Sequence, residues 1–104
     1  MNDPWPELTI EWADHAILKL DQIHDYIALS SSENVADKIV EQIFASVRLL
    51  ATFPMSGRSG RVPDTRELVI PGTPFIAAYS IDHPRIVILA IYHGAQKWPE
   101  TFPR

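Results

Sequence analysis

The side chains of this 104-residue chain whose types and spacing could do chemistry are one histidine and a small group of cations. His93 follows a long apolar run, where an imidazole could act as a general acid or base. Arg58, Arg61 and Arg66 lie close together in sequence. With Lys97 they form the one local basic concentration, which could contact nucleic acid or an acidic protein surface.

Each of these side chains also has a purely structural interpretation. The His93 imidazole could bond to backbone atoms near the end of a strand. Arg66 could pair with the neighbouring Glu67 or with Asp64, while the other arginines are solvated. Both interpretations stay open on the sequence alone.

The overall charge argues against a protein that binds RNA or DNA over a wide surface. Nine lysines and arginines stand against thirteen acidic residues, the net charge is -4 and the pI is about 5.4. Broad binding to a polyanion depends on cations that neutralise phosphates. A small basic patch remains compatible with this composition.

Composition also excludes several classes of site. The chain has no cysteine, so it has no disulfide scaffold, thiolate metal site or cysteine nucleophile. The remaining histidines, His15, His24 and His83, lack convincing metal spacing with a carboxylate, and no phosphate-binding loop is present. We therefore expect no metal and no cofactor. The N-terminus does not resemble a signal peptide, and no apolar run is long enough to cross a membrane, so we expect a cytoplasmic protein.

Hydrophobic periodicity predicts the elements that position these residues. Alternation over residues 7–12 predicts a strand, and apolar residues at helical spacing predict a helix over about 14–30, with Asp14 as a possible cap. A second helix begins near a serine cap, either Ser30 or Ser32, and ends where Phe53 meets Pro54. Three further strands are predicted at Thr65–Ile70, Phe75–Ile81 and Arg85–Tyr92.

This order of elements predicts the fold class. Segregated helices and strands indicate an α+β fold, in one domain that covers residues 1–104. An antiparallel helical hairpin should pack on one face of the sheet, followed by a three-stranded antiparallel meander. The apolar run in the last strand should make that strand central, covered on both faces.

Short motifs spread over nearly the whole chain resemble toxins of the RelE/ParE superfamily, and the ParE-like branch in particular. The motifs are Trp12-Ala13, Ile23-x-x-Tyr26-Ile27-Ala28, Phe53-Pro54-x-x-Gly57-Arg58, Thr65-Arg66-Glu67-Leu68, Gly72-Thr73-Pro74-Phe75 and Tyr92-His93-Gly94-Ala95-x-x-Trp98-Pro99. The order and spacing of these motifs carry the resemblance, since no single motif is specific. The resemblance implies a type II toxin, a cognate antitoxin protein, growth arrest when the toxin is free, and a role in plasmid stabilisation.

The superfamily divides by target, and the resemblance bears on the choice. One branch cuts messenger RNA on the ribosome, and the ParE branch is associated with DNA gyrase. The nuclease branch commonly has basic residues on its third and fourth strands, where this chain has Ile76 and Ala90. His93 matches a position where some nucleases keep a histidine that could act on a 2′-hydroxyl. Trp98 lies near the place of a tyrosine, but an indole cannot supply an acid proton.

Two sets of residues are candidates for protein contacts. For the target we consider the basic residues and the tail tryptophan: Arg58, Arg61, Arg66, Lys97 and Trp98. Trp98 could be an exposed anchor or could fold back on the sheet. For the antitoxin we consider apolar residues outside the main helical stripes: Leu18, Tyr26, Leu29 and Phe44. These could hold an extended antitoxin segment or could only cement the helices together.

Three hypotheses follow for the function. The first, which we favour, is a toxin that inhibits DNA gyrase by protein contact. The second is a ribosome-dependent messenger endonuclease, for which His93 is the candidate catalytic residue. The third is an inactive toxin-like module that only binds a partner.

Overall fold

The computed structural model describes residues 7–102 and confirms the α+β fold. Its elements in chain order are β1 (Thr9–Trp12), α1 (Asp14–Ser30), α2 (Glu33–Arg48), a short 3-10 turn (Leu49–Ala51), β2 (Arg58–Ser59), β3 (Arg66–Val69), β4 (Phe75–Asp82) and β5 (Arg85–His93). The two helices form a hairpin on one face of a five-stranded sheet.

The helix boundaries follow from local chemistry. α1 has the predicted bounds, but Asp14 lies in its first turn, and its N-cap residue Ala13 makes no side-chain cap bond. α2 begins after Ser32, whose hydroxyl accepts the Val35 N–H at 3.1 Å, so Ser32 is the cap rather than Ser30. α2 ends at Arg48, and the 3-10 turn continues the predicted helix to Ala51.

The sheet is mixed, with strand order β1-β5-β4-β3-β2. The predicted antiparallel meander of β3, β4 and β5 is confirmed. β1 pairs with β5 in parallel, from Thr9 opposite Arg85 to Trp12 opposite Ile88, because the helical hairpin returns the chain across the sheet before the meander begins. The sequence predicts no strand at the position of the short strand β2, which lies between α2 and β3.

A bulge in β5 changes which face its side chains occupy. Ala90 lies opposite Ala78, but Ile88 lies opposite Tyr79, so Leu89 is an extra residue in β5. As a result Ile88 and Ile91 both point into the core beneath the helices, although three positions separate them. Strict alternation would place them on opposite faces.

The core lies between the hairpin and the sheet. It contains the apolar stripe of each helix and the facing residues of β4 and β5: Ala16, Leu20, Ile43, Val47, Leu50, Ile70, Ala77, Tyr79, Ile86, Ile88 and Ile91. A hydrogen bond of 2.8 Å joins His24 Nε2 on α1 to Asp37 Oδ1 on α2. This bond, followed by the Asp37 and Asp25 charges, raises the pKa of His24 above its usual 6.5.

Candidate functional site

A buried carboxylate binds two of the candidate arginines on the sheet face that lies away from the helices. The Glu67 side chain is 2% exposed, and its Oε1 accepts the Arg58 Nη2–H at 3.0 Å. Its Oε2 accepts the Arg61 Nε–H at 3.0 Å and the Arg61 backbone N–H at 2.8 Å. Arg58 and Arg61 are therefore ion-paired, while part of each side chain stays exposed.

The same contacts determine the ionisation of this carboxylate. Burial alone would raise the pKa of Glu67, because a charged group loses hydration in the interior. The hydrogen bonds from the Arg61 side chain, the Arg61 backbone and Arg58 outweigh that effect, and the pKa lies below its ordinary value. Glu67 is thus an anion that holds the segment from β2 to Arg61 against β3.

Arg66 has a different role from its neighbours. Its Nε–H donates to the Gly57 carbonyl at 2.9 Å, and its Nη2–H donates to the Met55 carbonyl at 3.2 Å. The structural interpretation in which Arg66 pairs with Glu67 or Asp64 is wrong, since its guanidinium donates to backbone carbonyls and alternation along β3 turns it to the opposite face from Glu67. The structure therefore does not bring the three arginines together into one patch.

Tyr79 anchors the loop that carries these residues. Its side chain is fully buried under the helices, its hydroxyl donates to the Pro54 carbonyl at 2.7 Å, and it accepts the Gly57 N–H at 3.0 Å. A β-carbon added at Gly57 would lie 2.5 Å from this hydroxyl oxygen. Only glycine therefore fits where the loop backbone crosses the tyrosine.

The tail folds back on the sheet, as one of the two interpretations of Trp98 predicts. The Trp98 ring centroid lies 4.8 Å from that of Tyr92, and the Phe102 ring lies 5.8 Å from Tyr92. The Arg61 guanidinium carbon lies 4.0 Å from the centroid of the Trp98 ring. Arg61 thus joins the Glu67 carboxylate to the tail, and Lys97 beside Trp98 is exposed.

His93 bonds to backbone atoms at the end of β5. Its Nδ1 accepts the Ala95 N–H at 3.1 Å, and its ring meets Phe75 edge-on with centroids 5.9 Å apart. With Nδ1 occupied as an acceptor, the proton of the neutral ring lies on Nε2. His93 also lines a groove of about 320 Å³ between α1 and the sheet, and Lys19 lines the same groove.

The two positions at which the nuclease branch commonly has cations are apolar and buried. Ile76 is 6% exposed and Ala90 is 0% exposed. Both lie on the sheet face opposite the hairpin, next to Tyr92, whose ring contacts Trp98 of the tail. Residues 7–102 include no group of three or more histidines or carboxylates placed to hold a metal ion.

The helix hairpin exposes the apolar residues considered for antitoxin binding. Tyr26 is 73% exposed and Leu29 is 90% exposed, while Leu18 is 52% exposed. Phe44 is 39% exposed and packs against Trp12, with ring centroids 5.1 Å apart. Tyr26 and Leu29 therefore do not pack between the two helices, and they leave apolar surface on the outside of α1. In the described part of the chain, neither helix is both long and apolar enough to span a membrane.

Comparison with known proteins identifies the family. A family model described as "ParE toxin of type II toxin-antitoxin system, parDE" matches residues 10–98, which is most of the chain. The chain belongs to the ParE toxin family. The ParE-like resemblance of the sequence motifs is thereby confirmed, and the chain is the toxin of a type II toxin–antitoxin system.

A curated relative and two solved structures are similar to this ParE toxin. The protein named "Putative toxin Y4kP" of Sinorhizobium fredii is 38% identical over 92 residues, which cover 88% of this chain and 94% of the relative. The chromosomal ParDE toxin–antitoxin system of P. aeruginosa matches with a TM-score of 0.78 and 28% identity, over 84% of this chain and 96% of that one. The RelBE2 toxin–antitoxin complex of Mycobacterium tuberculosis matches with a TM-score of 0.55 and 22% identity, over 91% and 100% of the two chains. The last likeness shows a shared fold alone.

Sequence reasoning missed the residues that organise this ParE toxin's candidate site. Glu67 and Tyr79 were not candidates. Each is buried, however, and Glu67 binds Arg61 while Tyr79 binds the backbone of Pro54. Glu67 could have been found from its place in a strand near three arginines, because a carboxylate in a buried strand needs hydrogen-bonding partners. Lys19, the cation that shares a groove with His93, carried no signal, because it looked like an ordinary solvated helix residue.

Proposed function

We propose that this ParE toxin inhibits DNA gyrase in the cytoplasm by protein contact, and that its antitoxin neutralises it. The observation that carries the proposal is that Ile76 and Ala90 are apolar and buried. The two positions at which a nuclease of this superfamily commonly has cations are apolar here. A protein target requires only a complementary surface with a few anchors.

The chemistry of phosphate cleavage supports the same proposal. A nuclease must bind a polyanion and stabilise extra negative charge in the transition state, which requires cations placed in advance. Two of the candidate arginines, Arg58 and Arg61, share the single carboxylate of Glu67, which offsets one of their two charges and engages part of their hydrogen-bonding capacity. Arg66 donates to backbone carbonyls on the other face.

One observation favours the runner-up, a ribosome-dependent messenger endonuclease. Lys19, Tyr26 and His93 line the same groove, so a cation, a phenol and an imidazole are within one surface depression. The Lys19 ammonium, however, lies over the Tyr92 ring, 5.4 Å from its centroid, and Nδ1 of His93 accepts a backbone N–H. We therefore rank cleavage second and the inactive partner-binding module third.

The proposal predicts inhibition of supercoiling without cleavage of messenger. Purified toxin should abolish supercoiling of relaxed plasmid by gyrase, and primer extension on messenger in a translating extract should show no new cuts. Toxin produced alone in a bacterial host should arrest growth, with replication stopping before translation. Site-specific cuts with normal supercoiling would overturn the gyrase target, and unchanged growth would favour the inactive module.

His93→Gln is the matched control for this assay. Because His93 is not expected to be catalytic, the variant should arrest growth as the parent chain does. Loss of a true general acid or base costs a factor of about 10²–10⁴ in rate, so cleavage that collapses in this variant would support the nuclease.

The exposed surface of α1 predicts a contribution to antitoxin affinity. Tyr26→Ala should weaken antitoxin binding by about 1.5–3 kcal/mol, the range for burying one large side chain, while the melting temperature stays unchanged. Titration calorimetry with the purified antitoxin measures the effect. Phe53→Ala, which removes a 60% exposed aromatic outside α1, is the control and should bind normally. Equal affinities of Tyr26→Ala and the parent would place the antitoxin elsewhere.

A further inference from the structure

Two arginines share one buried carboxylate on the outer face of the sheet, the face opposite the helical hairpin. Arg58 lies opposite Glu67 in the pairing of β2 with β3, so their side chains point to the same face. Glu67 Oε1 accepts N–H groups from both guanidiniums, and its Oε2 accepts the Arg61 Nε–H. Within residues 7–102, no other carboxylate forms an ion pair with either guanidinium. The cluster therefore has a surplus of one positive charge.

The surplus charge faces solvent. The Arg58 and Arg61 side chains are 56% and 43% exposed, whereas the carboxylate between them is 2% exposed. Glu67 engages the Nε and Nη2 groups of both arginines, and their Nη1 groups make no hydrogen bond in the described part of the chain. A guanidinium presents its donors in a fixed fork, so a guanidinium held along one edge by Glu67 is also oriented along its other edge. Two donor edges are thus oriented in advance for a second carboxylate.

The surroundings of this arginine pair have the composition of a protein-binding surface. The Arg61 guanidinium carbon lies 4.0 Å from the Trp98 ring centroid, so the aromatic ring positions the side chain from a second direction. Val69 lies two residues beyond Glu67 on β3, so it points to the outer face, where it is 49% exposed. Lys97, next to Trp98, is exposed. Arginine and tryptophan are enriched among the residues that contribute most to protein binding.

Arg85 forms the opposite arrangement elsewhere on the outer face. Its guanidinium donates to Glu11 at 3.2 Å and to Asp82 at 3.0 Å, so one cation is shared by two carboxylates. This group has a surplus of one negative charge. Ala78, which lies opposite Glu67, and Asp82 are four positions apart on β4, which corresponds to about 13 Å along a strand. The outer face therefore has a cationic end and an anionic end.

We propose that the cationic end, formed by Arg58, Arg61 and Lys97, binds an acidic segment of the toxin's protein target. A carboxylate of that segment accepts the Nη1–H groups of the two arginines, and an apolar side chain packs on Val69. Nucleic acid fits this face less well, because a polyanion lying along the sheet would also meet the anionic end, and the whole chain has a net charge of -4. The inference rests on the proposed protein target, and it names the surface and the chemistry that recognise that target.

Removal of one arginine tests the surface. Arg58→Ala is the informative change, because the contact of Arg61 with the tail remains. Arg85→Ala is the matched control, since it removes an arginine that is 46% exposed from the anionic end of the same face. The probe is purified DNA gyrase, and binding is measured by interferometry at low ionic strength. We expect Arg58→Ala to weaken binding by about tenfold or more, and Arg85→Ala to stay within about twofold.

Arg58→Lys provides the test if circular dichroism shows that Arg58→Ala does not fold. A lysine keeps a positive charge beside Glu67 but has no second donor edge. Binding should therefore fall by about threefold or more relative to Arg85→Lys. Equal affinities of the two alanine variants, or of the two lysine variants where Arg58→Ala does not fold, would overturn the surface. Inhibition of gyrase by the parent toxin would then still support the proposed function.

A second probe separates the surface from the choice of target. A hexaglutamate peptide titrated into the parent toxin should shift the NMR signals of the Arg58 and Arg61 Nε–H groups more than that of Arg85. Unshifted signals would overturn the surface, and tighter binding of an oligonucleotide of equal charge would overturn the protein partner in favour of nucleic acid. Shifted signals from a toxin that does not inhibit gyrase would support the surface while the gyrase proposal fails.

Discussion

Gly57→Ala is expected to lower the free energy of unfolding by about 1–3 kcal/mol, the usual cost of an extra methyl group in a packed site. The added carbon would lie 2.5 Å from the Tyr79 hydroxyl oxygen and 2.8 Å from the Glu67 carbonyl oxygen. Neither neighbour can withdraw easily, because Tyr79 is fully buried and the Glu67 carbonyl belongs to β3. Urea denaturation followed by circular dichroism measures the change.

Gly94→Ala is the matched control for this substitution. A methyl group there would meet Ile76 Cδ1 and the Pro74 carbonyl at 3.5 Å, which is ordinary van der Waals contact. Its effect should stay within about 0.5 kcal/mol, as for most surface changes. If the two variants unfold at the same denaturant concentration, the close approach of Gly57 to Tyr79 does not constrain the loop.

Glu67→Gln is expected to remove the anion that joins β2, Arg61 and β3. The variant keeps the shape of the side chain but loses its charge, and its amide nitrogen cannot accept the arginine bonds. Arg58 and Arg61 are 56% and 43% exposed and can be rehydrated, which limits the loss to roughly 1–3 kcal/mol. Glu11→Gln breaks an exposed pair with Arg85 and should cost no more than about 1 kcal/mol. Equal losses of stability in Glu67→Gln and Glu11→Gln would mean that burial does not strengthen the ion pairs of Glu67.

The pH dependence of stability should change with the same substitution. Because the folded-state pKa of Glu67 lies below its ordinary 4.5, the stability that Glu67 contributes is complete above about pH 4.5. It is lost as the pH falls from there through the lowered pKa. Between about pH 6 and about pH 3.5 the parent should therefore lose more stability than Glu67→Gln does. Parallel slopes for the two proteins would show that the carboxylate is not stabilised by folding.

Strong periodicity made most of the fold predictable from the sequence. α1 has the predicted bounds, and α2 and the meander strands differ from prediction by a few residues. The helices bury long regular stripes, and the strands lie between turns rich in proline and glycine, so local sequence and tertiary packing agree. The family resemblance rested on motifs spread over the chain, and the family match over residues 10–98 confirms it.

The features that were not predictable depend on contacts between distant residues. The extra residue Leu89 determines which face of the sheet Ile91 occupies. The sequence around Leu89 shows only an uninterrupted apolar run, which does not indicate a bulge. The ion pairs of Glu67 require β2, which forms only because β3 offers it an edge. The position of Trp98 depends on Tyr92 and Arg61 together. Each of these features follows from pairing or stacking that no short window of sequence contains.

The parallel pairing of β1 with β5 has a consequence for the order of events during synthesis. β1 is translated before the two helices, but the strand it pairs with, beginning at Arg85, is translated after β4. Contacts between residues so far apart in sequence close a long loop, and they form late in folding. The helical hairpin can form as soon as it is translated, whereas the sheet that supports it stays incomplete until β5 emerges. A nascent toxin therefore lacks its finished sheet until β5 has been translated.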